Sequence, residues 1–331
     1  MRRQPQLLLA AVLATAITIL AAYPPHAESA DKAVRIAYVG SDNEARSVRT
    51  TEAFRKRLEE LGWKEGQNLI LDKYWAEGYP DRLPGLMRSA LARKPDLLVT
   101  MSTPGALAAK QATSTVPILV AAMGDPVQSG VVSTLAHPGG NITALSTGYA
   151  DDFAAKWLEL VLELVPKAKR VAVIWNLSNP VVLQYRSGLD HAAGLRRVAL
   201  NFIDVRTPEG LDNAFREARR TSQAAVVTCE NLTIQNVQRV VELAAKNRLP
   251  AVYCLRMFAA AGGLLSYGVD LPAMYRRAAE YADKVLKGTD VGSLPIEQPR
   301  KFELIVNLTV AKTLGIQVPE SVLSRADEVI R

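Results

Sequence analysis

From residue 34 onward the chain alternates two hydrophobic periods, and this alternation limits the folds open to it more than any other feature. Short apolar runs rich in β-branched residues come first: VRIAYVG (34–40), NLILDKYW (68–75), DLLVTMS (96–102), PILVAAM (117–123) and NITALS (141–146). Between them lie amphipathic stretches, such as EARSVRTTEAFRKRLEELG (44–62), which puts Val48, Phe54, Leu58 and Leu61 on one expected face, and DRLPGLMRSALARK (81–94). PGALAAKQAT (104–113) and a short GVVSTLA (130–136) complete the first set of predicted helices. Continuous apolar strands separated by helices imply parallel βαβ units with both sheet faces covered.

A second block repeats the pattern. It opens with the amphipathic DFAAKWLELVLELVP (152–166), and its strand candidates are RVAVIWN (170–176), ALNFIDV (199–205), AAVVTCE (224–230), PAVYCL (250–255) and GLLSYGV (263–269). No long Gly/Ser linker separates the blocks, so the predicted fold class is α/β, with two doubly wound parallel-sheet lobes joined by a hinge that the chain crosses repeatedly. A helix over 271–288, a Pro-flanked turn at 294–299, a further strand and the final helical patterns read as elements returned to both lobes. The expected organisation is residues 1–30 as a signal peptide, 31–145 with 271–302 as the N-terminal lobe, and 146–270 with 303–331 as the C-terminal lobe.

The signal-peptide expectation rests on Arg2-Arg3, the sixteen-residue apolar run LLLAAVLATAITILAA (7–22) and the small residues of YPPHAESA. The run is short for a membrane span, which needs about 20 residues. No Cys lies near the end of this run, so lipid attachment at a mature N-terminal cysteine is not expected, and the expected location is the periplasm. Removing 1–30 takes away two arginines and one glutamate, so a formal charge of +7 becomes +6. The basic residues are interleaved with acids, as in FRKRLEEL (54–61), which describes a solvated face and not a nucleic-acid stripe. Cys229 and Cys254 both close apolar runs, which favours buried free thiols, although export also makes them candidates for a disulfide. His137 and His191 are isolated, no metal-ligand spacing occurs, and no cofactor motif is present.

In open parallel sheets, ligands bind beyond the carboxyl ends of the strands, and two facing lobes turn those ends into the walls of one cleft. The groups standing there are Ser41 and Asp42, Ser102 and Thr103, Gly124 and Asp125, then Asn176, Asn179, Glu230, Asn231, Arg256 and Asp270. Small hydroxyl and amide groups at helix starts suit an anion such as a carboxylate, and Pro104 marks a first helical turn just after Ser102-Thr103. Each group also has a purely structural role open to it: a cap for Ser102 or Glu230, a turn for Asp125, a surface ion pair for Arg256. Trp75, Trp175 and Tyr253 end strands and read as core or rim packing. No GxSxG, Walker A, HExxH or GxGxxG motif is present, so the site is built to hold and release.

The chain resembles the ABC-transporter substrate-binding proteins of the tryptophan/tyrosine type, which share the class I periplasmic-binding fold. The resemblance is carried by GWKEGQN (62–68), RLPGLMRSALARKPDLLVT (82–100), STPGALAAKQAT (102–113) with VPI (116–118), GDPVQSGVVSTLAHPGGNIT (124–143), RLPAVYCLRMFAAAGGLLSYGVD (248–270), YRRAAEYADKVLKG (275–288) and LPIEQPRKFELIVNLTVAKTLGI (294–316). It implies a receptor that is not an enzyme, a small solute such as an amino acid as ligand, an ABC permease in the inner membrane as partner, and no nucleic acid. A monomer is the simple expectation. Carried onto this chain, the implied contacts are Ser102, Thr103, Gly124, Asp125, Asn176, Glu230 and Tyr267, with the solute's carboxylate on Ser102/Thr103 and its ammonium near Glu230. A sensor subunit for a membrane signalling protein, or an exported enzyme, would use the same cleft.

Overall fold

The computed structural model describes residues 33–148, 151–299 and 302–331. The signal-peptide expectation therefore lies outside the described residues, and among those described no helix is long and apolar enough to cross a membrane. Residues Val34–Arg331 form one compact unit built on two sheets. The first contains β1 (Val34–Gly40), β2 (Leu69–Trp75), β3 (Leu97–Thr100), β4 (Ile118–Met123) and β5 (Ile142–Ser146), in the order β2-β1-β3-β4-β5 and all parallel. The second contains β6 (Arg170–Trp175), β7 (Ala199–Asp204), β8 (Ala224–Val227), β9 (Ala251–Tyr253), β10 (Leu265–Val269), β11 (Phe302–Asn307) and β12 (Glu328–Ile330). Its order, β12-β11-β10-β9-β8-β6-β7, repeats the first sheet's winding over β6 to β10.

The strands form where the sequence is apolar on both faces, and β3, β4, β5, β8 and β9 are buried along their whole length. Helices cover both faces, as a parallel sheet requires. Two lobes of parallel-sheet α/β architecture are thus present, with two departures from expectation. The second sheet has seven strands: the further strand expected after the Pro-flanked turn enters as β11, antiparallel to β10, and an unexpected β12 from the chain's last residues pairs with β11. The run 130–136 is a series of turns and bends: Gly130 is left-handed, and Lys110 Nζ donates to the carbonyls of Gly130 and Val131, which fixes the turn.

After β10 the chain returns to the first sheet. Helix Leu271–Leu286 packs against helix Glu44–Glu60, where Glu60 pairs with Arg276 and Arg57 with Glu280, and Trp63 donates its indole N–H to Asp283. The segment 291–297 then runs beside β5: Thr143 Oγ1 donates to the Leu294 carbonyl at 2.9 Å and Ser146 N–H to that of Glu297 at 2.9 Å. Arg277 grips the Glu297 carboxylate with two N–H donors before the chain crosses to β11. The first helix shows the same logic at its other end. Its buried residues are Ser47, Thr51, Phe54 and Leu58, while Val48 is half exposed, so the inward face is one residue out from a purely hydrophobic reading.

Cys229 and Cys254 are joined as a disulfide, with Cα atoms 5.4 Å apart, which corrects the free-thiol reading. Each lies two residues or fewer beyond the end of its strand, β8 or β9. These strands are paired neighbours (Val227 opposite Tyr253), so the parallel register brings the two residues together. On the next strand, Gly268 has no room for a side chain, because a Cβ there would stand 1.6 Å from the Cys254 carbonyl oxygen. Backbone cannot yield as a side-chain tip can, so Gly268→Ala should destabilise the protein by about 3 kcal/mol or more, measured by urea denaturation; an unchanged midpoint would show that the approach is looser than described.

Candidate functional site

Each sheet reverses its strand order at one point, between β1 and β3 in the first and between β6 and β8 in the second. Residues just beyond the C-terminal ends of these strands line a single cavity of about 170 Å³. At about 10–15 Å³ per water-sized site, that is room for on the order of a dozen non-hydrogen atoms. Its walls include Ser41, Asp42, Ser102, Thr103 and Gly124 from the first lobe and Asn179, Glu230 and Asn231 from the second. Met101, Met123, Ile234, Leu255, Met257, Leu271 and Tyr275 supply apolar surface.

The first-lobe wall is held in an unusual conformation. Ser102 has φ 65° and ψ 160°, a combination largely confined to glycine, and such strain persists only where the surroundings impose it. Its N–H donates to the Ala122 carbonyl at 2.7 Å, and its hydroxyl lies 2.8 Å from that of Ser41 and accepts from Gly105 N–H at 3.3 Å. The strained residue caps helix Thr103–Ala112, whose amide end faces the cavity with Pro104 in its first turn. Thr103 is 3% exposed, and its hydroxyl oxygen is buried with no hydrogen-bond partner. A buried hydroxyl left so is destabilising by about 1–3 kcal/mol until something pairs with it.

The opposite wall carries Glu230, also 3% exposed. Its carboxylate accepts from Leu232 N–H and Thr233 N–H, both at 2.8 Å, and from Asn176 Nδ2 at 3.4 Å. All three donors are neutral, and no described cationic side chain pairs with it. Burial therefore prevails and pushes the carboxyl up to about 7, with the hydrogen bonds opposing the shift. Asp42 is likewise raised by burial, although its Asn43 N–H contact and nearby Arg46 pull the other way.

Five expected residues lie outside the cavity wall. Arg256 pairs with Glu328 on the edge strand β12. Tyr267 stacks on Phe153 at 5.3 Å and lies 5.7 Å from Phe302, in an aromatic cluster. Asp270 caps helix Leu271–Leu286 by accepting from Ala273 N–H, and it borders a separate hollow near Arg277 and Glu297. Asp125 accepts from the amides of Val127 and Gln128 and so shapes a turn. Asn176 stands one layer back, steadying Glu230. In each case a local partner claims the side chain (an ion pair, an aromatic stack, a cap, a turn or the Glu230 carboxylate), a competition that strand-end position alone does not reveal. Trp75 and Tyr253 pack against Tyr38 and Phe258, in keeping with their reading as packing residues.

The sequence reading missed Arg46, Ser47 and Thr50, which reach the cavity from helix Glu44–Glu60, and Gln235 and Tyr275. Ser47 and Thr51 share the buried face with Phe54 and Leu58, and their inward placement is seen only once Val48 is known to face outward. Tyr275 donates its hydroxyl to Met101 Sδ at 3.4 Å and so ties the returning helix to the end of β3.

These features coincide with known proteins. A tyrosine-binding protein from Clostridioides difficile (strain R20291) is 30% identical over 266 residues, covering 80% of this chain and 76% of its own length. The L-Trp complex of an ABC domain from Streptococcus pneumonia superposes with a TM-score of 0.83 at 23% identity, covering 90% of this chain and 99% of that one. The ligand-free, open structure of a substrate binding protein with adhesive properties from Clostridium difficile gives 0.68 at 26% identity, over 90% and 99%. The sequence profile of the ABC transporter substrate binding protein family matches residues 41–330, and the chain belongs to that family.

Proposed function

We propose that this protein is the extracytoplasmic receptor of an ABC importer, working in the periplasm and closing its two lobes on an amino acid with a large apolar, in practice aromatic, side chain. The observation that carries this reading is one cavity lined on one side by Thr103, whose buried hydroxyl has no hydrogen-bond partner, and on the other by Glu230, whose buried carboxylate accepts only from neutral donors. A zwitterion satisfies both. Its carboxylate would take the hydroxyls of Ser102 and Thr103 at the positive end of a ten-residue helix, and its ammonium would take Glu230. The methionine and leucine walls suit an apolar side chain, with sulfur adding favourable contact to a ring.

Three further observations support it. One relative is named as a tyrosine-binding protein, and one structural neighbour was solved in complex with L-Trp. The better superposition on the L-Trp complex than on the open, ligand-free neighbour fits a closed arrangement of the lobes here. The basic, apolar and small-residue order of residues 1–30 fits export. Hinge closure would bury the solute and present a changed surface to a permease, provided the solute prefers the closed form.

Two outcomes follow. Thr103→Val removes the unpaired hydroxyl at constant shape, so the ligand-free protein should gain about 1 kcal/mol of stability, while calorimetry with L-tryptophan or L-tyrosine should show binding weakened by roughly 10–100-fold, the loss of one bond to a charged group. A variant that loses stability and keeps full affinity would overturn the assignment.

The second concerns pH. Only ionised Glu230 attracts an ammonium, and its free-site carboxyl titrates at about 7. Affinity should thus fall about tenfold from pH 8 to pH 6, with protons released on binding in that window. Stability of the free protein runs the opposite way, because a raised acid favours the fold while protonated: this contribution is present below about 4.5 and lost as pH rises through 7. Glu230→Gln should abolish both dependences, and pH-independent binding by the unsubstituted protein would count against the ammonium contact.

A further inference from the structure

We propose that Gly78 of the first lobe and Gln235 of the second form the latch that holds the lobes together over the occupied cavity, so that this pair, and not the solute contacts alone, sets how long the solute is retained. The proposal rests on the receptor reading above and assigns a role to Gly78, which lies outside the cavity wall, and to Gln235, which lines the cavity but is not among the solute contacts named there.

The contact is unusually close. Gly78 lies in the loop after β2, with φ +82°, and a Cβ on it would stand 2.2 Å from Oε1 and 2.5 Å from Nε2 of Gln235. The flat amide of Gln235 therefore rests on the bare Cα of a residue from the other lobe. A left-handed φ and an absent side chain are both needed there, and glycine alone supplies both without penalty.

Each half of the latch is anchored to the cavity wall. Gly78 N–H donates to the Ser41 carbonyl at 3.0 Å and Glu77 N–H to that of Asp42 at 3.2 Å, so residues lining the cavity hold the loop in place. Glu77 is itself left-handed at φ 53°, an uncommon state for a residue with a side chain, which shows how firmly this loop is shaped. On the other side Gln235 ends the short helix Asn231–Gln235, whose first residue follows the capping Glu230. A solute drawn against Glu230 and Ser41 would thus position both ends of the latch through one helical turn and two backbone hydrogen bonds.

The test is a double-mutant cycle read by calorimetry and dissociation kinetics with L-tryptophan and L-tyrosine. Gly78→Ala should weaken binding by about tenfold, chiefly through faster dissociation, because the new methyl meets the Gln235 amide only when the lobes are closed. In a Gln235→Gly background the same change should cost less than about twofold. Equal losses in both backgrounds would mean that loop strain alone is at work, and an unchanged Gly78→Ala affinity would mean that the contact carries nothing; either result overturns the latch. A second measurement needs no solute: in a G78C/Q235C variant a short bis-maleimide should bridge the two positions within one chain, identified by peptide mass, and faster when the amino acid is present. If neither amino acid binds the unsubstituted protein, the receptor reading fails for those ligands while the bridging result still decides the contact; no bridging under any condition would sink it.

Discussion

The constraint on which the rest depends is the burial of polar groups at the places where two parallel sheets reverse their strand order. A parallel sheet wound on both sides leaves one concave spot at the carboxyl ends of its strands, where neighbouring connections diverge. Here two such spots, beside β1/β3 and β6/β8, open on the same cavity. Groups placed there are shielded from water by their own lobes, so every donor and acceptor must find a partner or remain in deficit. Ser41, Ser102 and Asn176 find partners within the protein; the Thr103 hydroxyl does not, and Glu230 finds only neutral ones. The deficit is itself a description of what fits.

The strain at Ser102 belongs to the same economy of means. A residue with a side chain at φ 65° and ψ 160° is held by its amide on Ala122 and its hydroxyl beside Ser41, and the return is a helix start whose amides face the cavity. The disulfide does comparable work on the other wall, tying the strand end before Glu230 to the one before Leu255. Both walls are therefore shaped before any solute arrives, which reduces what binding must spend on ordering them.

Much of this was legible in the residues. Apolar runs such as PILVAAM and AAVVTCE could only be buried strands, and they fell where expected, because a run without polar alternation has nowhere else to go. What stayed hidden depends on neighbours that sequence order does not supply. That Cys229 and Cys254 meet follows from β8 pairing with β9. That Arg256 turns away from the cleft follows from β12 carrying Glu328 to its side. Asp125 and Asp270 look like ligand groups at strand ends, yet nearby amides take them as caps. The inward Ser47 was readable only once Val48 was known to face outward.

The docking of helix Leu271–Leu286 on helix Glu44–Glu60 has a consequence for the order in which this chain can assemble. The first sheet is complete by residue 146, but the helix that closes it over Phe54 and Leu58 emerges more than a hundred residues later. A nascent or translocating chain must therefore carry an unfinished first lobe, its apolar flank uncovered, until almost the whole of the second has appeared. Maturation of the two halves is coupled from the outset, and truncating the chain before Leu271 would leave the earlier half without its cover.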